Sequence, residues 1–176
     1  MIVYFLRHAS AGQHLANPAR DEKRPLDKVG IEQCRLMGRA LSALDVHVDA
    51  VLSSPLKRAM QTASLVANEI GFDGKLQQSA ALRPDAKMDA FWQVLEQNAR
   101  VEALIVSGHN PSLSEFMSLL ISEGASKSSV NLKKGTVARV DVSGSSGVLK
   151  WCLTPKIVEG LYTSAVTSSR PKTLRK

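Results

Sequence analysis

The sequence predicts an α/β fold, a three-layer sandwich in which a mostly parallel central sheet carries helices on both faces. Three observations predict it. Three short apolar runs each give way to a polar or glycine-containing turn and then to a segment of helical periodicity. The runs lack the alternation of a half-exposed strand, as expected of strands covered on both sides. Near the end, two strand-like segments flank Gly144-Ser145-Ser146-Gly147, the pattern of a hairpin at a sheet edge.

The first run, Ile2 to Leu6, is apolar apart from Tyr4 and stops at Arg7-His8. A polar loop from Ser10 to Asp27 follows. Asp27 is placed to cap a helix in which Cys34, Met37, Leu41 and Leu44 recur at helical spacing. The second run, Ala50 to Leu52, leads to Ser54 as an N-cap and Pro55 at the first helical position. Leu56, Ala59, Met60, Ala63, Val66, Ala67 and Ile70 form that helix's apolar face, and Gly71 ends it. Met88 to Asn98 reads as a helix with Phe91, Val94 and Leu95 inward. The third run, Ala103 to Val106, precedes a helix opened by Asn110-Pro111, whose buried stripe holds Leu113, Phe116, Met117, Leu120 and Ile121. Thr136 to Val142 and Val148 to Leu153 are the hairpin strands. Neither a solenoid repeat nor an internal linker divides the chain.

These elements make one domain over residues 1–162, followed by a basic, flexible tail over 163–176. Of the net charge of +7, Arg170, Lys172, Arg175 and Lys176 account for +4, leaving +3 for the body. Only 5% of residues are aromatic, and no aromatic-basic interleaving offers a stacking platform for nucleic acid. Cys34 and Cys152 are far apart and unpaired by any redox or zinc spacing, so two buried thiols in a reducing compartment are expected. No apolar stretch approaches the length of a membrane span, and the cytoplasm is the expected location.

The chemistry gathers at one edge. In open α/β sheets ligands bind beyond the carboxyl ends of the strands. There the chain places Arg7-His8, then Ser53-Ser54 with Arg58, then Ser107-Gly108-His109. Arg58 falls in the first helical turn, where a cation opposes the macrodipole unless an anion lies between it and the helix N-terminus. Arg24, in "KRPLDKVG", is a further cation on the loop before the first long helix. Guanidinium forks match phosphoryl oxygens, and an imidazole supplies a neutral nitrogen nucleophile near pH 7. Phosphoryl transfer asks for an in-line nucleophile and positive charge around the equatorial oxygens. His8 and His109 have no third metal ligand nearby in sequence, and the arginines would repel a cation, so neither metal nor other cofactor is expected. His14 and His47 have no comparable setting and read as surface residues.

The quoted residues carry a family resemblance. "FLRHAS" resembles the Arg-His-Gly motif of the histidine phosphatase superfamily, "SSPLKRAMQTA" its second arginine motif and "VSGHNPSLS" its second histidine. The "RPLDKVG" element and the closing "LKWCLTP" are most similar to the SixA-type phosphohistidine phosphatases. The resemblance runs to about Pro155 and implies a phosphoglycerate mutase-like fold. Carried over by position, it implies that His8 is the phosphorylated nucleophile. Arg7, Arg24 and Arg58 would clamp the phosphoryl group, and His109 would complete the pocket.

The chain departs from the family pattern at two places. Ala9 stands where glycine usually follows Arg-His, one methyl larger. Larger members carry an acidic general acid where "QQSAALRPDAKMDA" has alanines, and Asp85 is the residue there that could serve in its place. A phosphohistidine leaves as neutral imidazole once protonated, so it needs less acid assistance than an alkoxide. With no long insertion to act as a lid, the pocket is expected to be shallow and open. The expected activity is therefore metal-independent hydrolysis of phosphohistidine on a partner protein, such as a phosphotransfer domain or phosphocarrier, with phosphate and vanadate as ligands. The alternatives are a small-molecule phosphomonoesterase of the same superfamily and a catalytically weak phosphate-binding module.

Overall fold

In the computed structural model, which describes residues 1–122 and 128–168, the first apolar run forms β1 (Ile2–Arg7). The next elements are a short helix α1 (Pro18–Glu22), α2 (Lys28–Ala43), β2 (Ala50–Ser53) and α3 (Lys57–Glu69). A two-residue β3 (Gln77–Gln78), a 3-10 turn (Ala80–Leu82), α4 (Met88–Gln97) and β4 (Ala103–Gly108) follow. The chain continues through α5 (Ser112–Leu120), β5 (Val137–Ser143), β6 (Ser146–Leu153) and α6 (Pro155–Ser168). The strands form one sheet in the order β3-β2-β4-β1-β5-β6. The first four strands of that order run parallel, and β5 and β6 are antiparallel, the expected edge hairpin.

Alternation along the buried strands sorts the core into two layers. Tyr4, Leu6, Val51 and Ile105 face α2, α3 and Val158 of α6. Val3, Phe5, Leu52, Leu104 and Val106 face α4 and α5. In the second layer Phe91 stacks on Phe116 with ring centroids 4.6 Å apart and tilts against Phe5 at 5.7 Å. Truncating such a fully buried phenylalanine to alanine typically costs about 3–5 kcal/mol. Helices thus cover both faces, as expected.

Register is what builds the site. Arg7 pairs with Gly108 across β1 and β4, and Ser53 with Ser107 across β2 and β4, so the three carboxyl ends are level. The ladder continues one residue further, through His8 N–H to the Gly108 carbonyl at 3.0 Å and Ser54 N–H to the Ser107 carbonyl at 2.8 Å. His8, Ser54 and His109 therefore leave the sheet side by side.

Asp27 caps α2, its Oδ1 accepting from the Gly30 amide at 2.7 Å. Its Oδ2 accepts from the Ser10 hydroxyl at 2.7 Å and the Gly12 amide at 2.8 Å, tying the loop after His8 to the helix. Gly30 permits that contact, because a Cβ there would lie 2.0 Å from the Ser10 carbonyl oxygen. Gly71, at φ +72°, turns the chain out of α3 in the left-handed region.

Several expectations are corrected. The loop from Ser10 to Asp27 contains α1, opened by Asn17, whose Oδ1 accepts from the Arg20 amide at 3.1 Å, with Pro18 at the first position. α3 starts at Lys57 with no side-chain cap, so Ser54 does not cap it. Leu44 ends α2 and is exposed, and Cys152 is exposed on the edge strand, whereas Cys34 is buried as expected. α6 continues past the expected boundary at 162, and residues 169–176 of the tail lie outside the described residues. Among the described residues no helix is long and apolar enough to cross a membrane.

Candidate active site

His8 is buried at the end of β1. Its Nδ1 donates to the Ala9 carbonyl at 2.8 Å, since a carbonyl can only accept. The ring proton is thereby held on Nδ1, and the lone pair of Nε2 is free. Burial is the main cause that lowers the His8 pKa to about 3, and the charges of Arg58, Arg7 and Lys134 add to it against the Ala9 contact. His8 is a neutral imidazole throughout the physiological range.

His109 follows β4, and its ring centroid lies 4.9 Å from that of His8. Its Nε2 shares a hydrogen bond with the Ser54 hydroxyl at 2.9 Å. Burial, then His8, then Arg58 and Arg7 push its pKa down to about 2. Ala9 is fully buried within the apolar core, so its extra methyl is accommodated, and its amide donates to Thr62 Oγ1 at 3.0 Å. Thr62 in turn donates to the Arg58 carbonyl at 2.7 Å, which links the His8 turn to the start of α3.

Arg58 is only 6% exposed, so it is not a solvated helix cation. The anion that reconciles it with the helix N-terminus is Asp21 of α1, which sequence reasoning missed. Arg58 Nη1 donates to the Asp21 backbone carbonyl at 2.9 Å and to Oδ2 at 3.2 Å. Arg24 Nε donates to Asp21 Oδ1 at 2.8 Å, and its Nη1 to the Ala11 carbonyl at 2.5 Å. Burial alone would raise the Asp21 pKa, but Arg24, the Leu15 amide and the charge of Arg58 overcome it and hold the carboxyl well below the usual carboxylate range.

A cavity of about 430 Å³ opens over these groups, with His8, His109, Arg24, Arg58 and Asp21 in its wall. Arg7 is not part of that wall; its Nη1 donates to the Leu132 carbonyl at 2.5 Å, yet its charge is close enough to depress both imidazoles. Asp85 is not brought to the site. Its carboxylate is 83% exposed and sits 3.8 Å from Arg83, outside the cavity wall. Glu22, which is in the wall, is ion-paired with Arg83 at the rim. His14 is a surface residue, as expected, but it lies at the cavity mouth with Nε2 3.7 Å from Asp21 Oδ2. The expectation of an open pocket is qualified by α1, whose Pro18, Asp21 and Glu22 form part of the wall.

Among the described residues, four buried side-chain nitrogen or oxygen atoms lack a protein partner, and three of them are Arg7 Nε, Arg58 Nε and His109 Nδ1. Leaving a buried polar group unpaired costs about 1–3 kcal/mol, so their concentration around His8 marks a site built for a ligand rich in acceptor oxygens. No group of three or more His, Cys, Asp or Glu among the described residues is arranged to hold a metal ion.

The two imidazoles also predict how stability depends on pH. An unperturbed histidine titrates near 6.5, well above the folded values of about 3 and about 2. The unfolded chain therefore binds these protons first as pH falls. Their contribution to stability is complete above about pH 6.5 and is lost progressively as pH falls towards the folded values. Urea melts between pH 7.5 and 4.5 are expected to show falling stability, with a shallower slope in His109→Asn.

Residues 3–84 match the family model described as histidine phosphatase superfamily (branch 1). An uncharacterized protein of Picosynechococcus sp. strain PCC 7002 is 36% identical over 140 residues, 78% of this chain and 82% of that protein. Phosphohistidine phosphatase SixA of Escherichia coli K12 is 28% identical over 162 residues, 88% of this chain and 94% of that one. A solved structure of the protein histidine phosphatase SixA complexed with tungstate superposes with a TM-score of 0.78 at 25% identity, over 90% of this chain and 99% of that one. With level strand ends, paired imidazoles and buried arginines around them, the chain belongs to the histidine phosphatase superfamily, and it is similar to SixA in sequence and fold.

Proposed function

We propose that the protein is a metal-independent phosphatase that removes phosphate from phosphohistidine on a partner protein. The observation that carries this reading is the state of His8, a neutral imidazole with its proton held on Nδ1 by the Ala9 carbonyl, among arginines and a second neutral imidazole. In the first step His8 Nε2 attacks phosphorus, a new N–P bond forms, and the substrate's N–P bond breaks. The departing imidazole keeps the electron pair and leaves neutral if its ring was protonated beforehand. Water then attacks the phosphoryl group on His8, releases inorganic phosphate and restores the imidazole. Arg24 and Arg58 hold the equatorial oxygens from the wall, Arg7 adds its charge and its unpartnered Nε from behind it, and His109 Nδ1, when it carries the proton, adds a hydrogen bond.

The carboxyls support a phosphohistidine substrate over a phosphate ester. In the cavity wall Asp21 is bound by two arginines and Glu22 is paired with Arg83, while Asp85 is outside it. An alkoxide leaving group would lack a poised carboxylic acid, whereas a protonated phosphohistidine needs none. The partner is a phosphotransfer domain or phosphocarrier, and a cytoplasmic setting agrees with two cysteines outside any disulfide.

The test is turnover measured side by side on a phosphohistidine phosphotransfer domain and on a panel of phosphate esters, with and without exhaustive chelation. The phosphohistidine protein is expected to lead in kcat/KM by about 10²-fold or more, because an uncatalysed alkoxide departure is what a positioned acid normally relieves. Chelation is expected to change nothing. Faster hydrolysis of an ester, or a rate lost to chelator and restored by a divalent ion, contradicts the proposal.

A further inference from the structure

We infer that Asp21 is a built-in counter-charge for the phosphoryl site, a positioning residue that holds Arg24 and Arg58 and competes with phosphate for them so that product can leave. The inference rests on the phosphatase reading and concerns the same pocket. Three observations carry it. Among the described residues Asp21 is the one carboxylate buried at the site, 5% exposed on a helix of five residues. It binds two arginines that come from different parts of the chain, Arg24 through Oδ1 and Arg58 through Oδ2 and its own backbone carbonyl. Arg58 Nη1 is thus committed to Asp21, while Arg58 Nε has no partner among the described residues.

The charges explain why such a residue is useful. The cavity wall carries Arg24, Arg58, Arg83 and Lys134 against Asp21 and Glu22, and Arg7 lies close enough to lower both imidazoles. Glu22 is paired with Arg83 at the rim, so Asp21 is the carboxylate that offsets Arg24 and Arg58. Without it these cations would hold free phosphate, which carries close to two negative charges near neutral pH, more tightly. Tight binding of product, unlike tight binding of the transition state, slows turnover. The bonds to Oδ1 and Oδ2 also set the positions of both forks, which an arginine tethered only by solvent would not keep.

Asp21→Asn separates charge from shape. The amide oxygen still accepts from Arg24 Nε and the Leu15 amide, so α1 keeps its place, but the opposing charge is gone. Calorimetric titration with inorganic phosphate and with tungstate is expected to show binding tighter by on the order of 10-fold in Asp21→Asn. Its kcat on a phosphohistidine protein is expected to fall with no rise in KM, with stronger inhibition by phosphate. A purely structural Asp21 predicts the reverse, weaker phosphate binding and a raised KM, and that result overturns the inference. If Asp21→Asn does not fold, Asp21→Glu, which keeps the opposing charge but moves its carboxylate by one methylene, carries the test. Phosphate affinity within about 3-fold of wild type then supports the counter-charge, and a loss beyond about 10-fold refutes it. Wild type that neither binds tungstate nor hydrolyses phosphohistidine overturns the phosphatase reading itself, and this inference with it.

Discussion

His8→Ala is expected to lower turnover of a phosphohistidine protein by about 10⁴-fold or more, as removal of a nucleophile commonly does. The expectation follows from the electronic state of the ring. Its Nδ1 proton is committed to Ala9, its Nε2 is unprotonated, and the surrounding positive charge keeps it so far below neutral pH. The other imidazole buried at the site, His109, has its Nε2 engaged with Ser54. The fold should tolerate the change. The backbone bonds that set the His8 turn do not use the ring, and the variant loses a neutral buried group that acid would otherwise force to charge. The arginines also stay, so tungstate should still raise the melting temperature of His8→Ala. Lost turnover with retained oxyanion binding is the expected combination, read from an activity assay and a thermal melt on the same sample. Undiminished hydrolysis would remove His8 from the mechanism.

Arg58→Ala is expected to cut turnover by on the order of 10²-fold or more, the usual effect of losing one preorganised charge. Its effect on stability is where the sequence and the structure disagree. From sequence, removing a cation from the first turn of α3 should leave the fold intact or stabilise it slightly. In the structure Arg58 joins α3 to α1 through two bonds to Asp21, so its loss leaves that buried carboxylate to Arg24 and the Leu15 amide. The expected cost is about 1–3 kcal/mol, that of a buried group losing one charged partner. Arg58→Lys should recover only part of either property, because an ammonium cannot offer a two-pronged contact. Urea melts and kcat determined on the folded fraction decide the matter. Full turnover in a destabilised Arg58→Ala would make the residue purely structural.

The sheet and the long helices were legible because their signals are periodic. Ile2–Leu6, Ala50–Leu52 and Ala103–Val106 are continuous apolar runs, and α4 buries Phe91, Val94 and Leu95 as its spacing required. His8 and His109 were legible because a strand end in a parallel sheet has only one place to point. α1 was not, since its buried residue is an aspartate and no apolar stripe marks it; only Asn17-Pro18 signals its start. α6 was missed for a related reason, as Val158 is the one residue of its described side chains that is buried. Asp21 escaped notice because its meaning lies in contacts with Arg58, distant in sequence, and no local spacing encodes an ion pair between elements. Ser54 read as a cap because Ser-Pro usually is one, but its hydroxyl is bonded to His109 and α3 begins later.

Passage of phosphate through His8 is the central step of the proposed reaction. A phosphotransfer domain labelled on its phosphohistidine, mixed with enzyme and quenched in base within the first turnovers, provides the measurement. Nitrogen-linked phosphate survives base and is lost in acid, so the quenched enzyme should carry label with that profile, located on His8 by peptide mapping and missing from His8→Ala. Label on another residue, or turnover at full rate with no labelled enzyme at any time, would contradict the account.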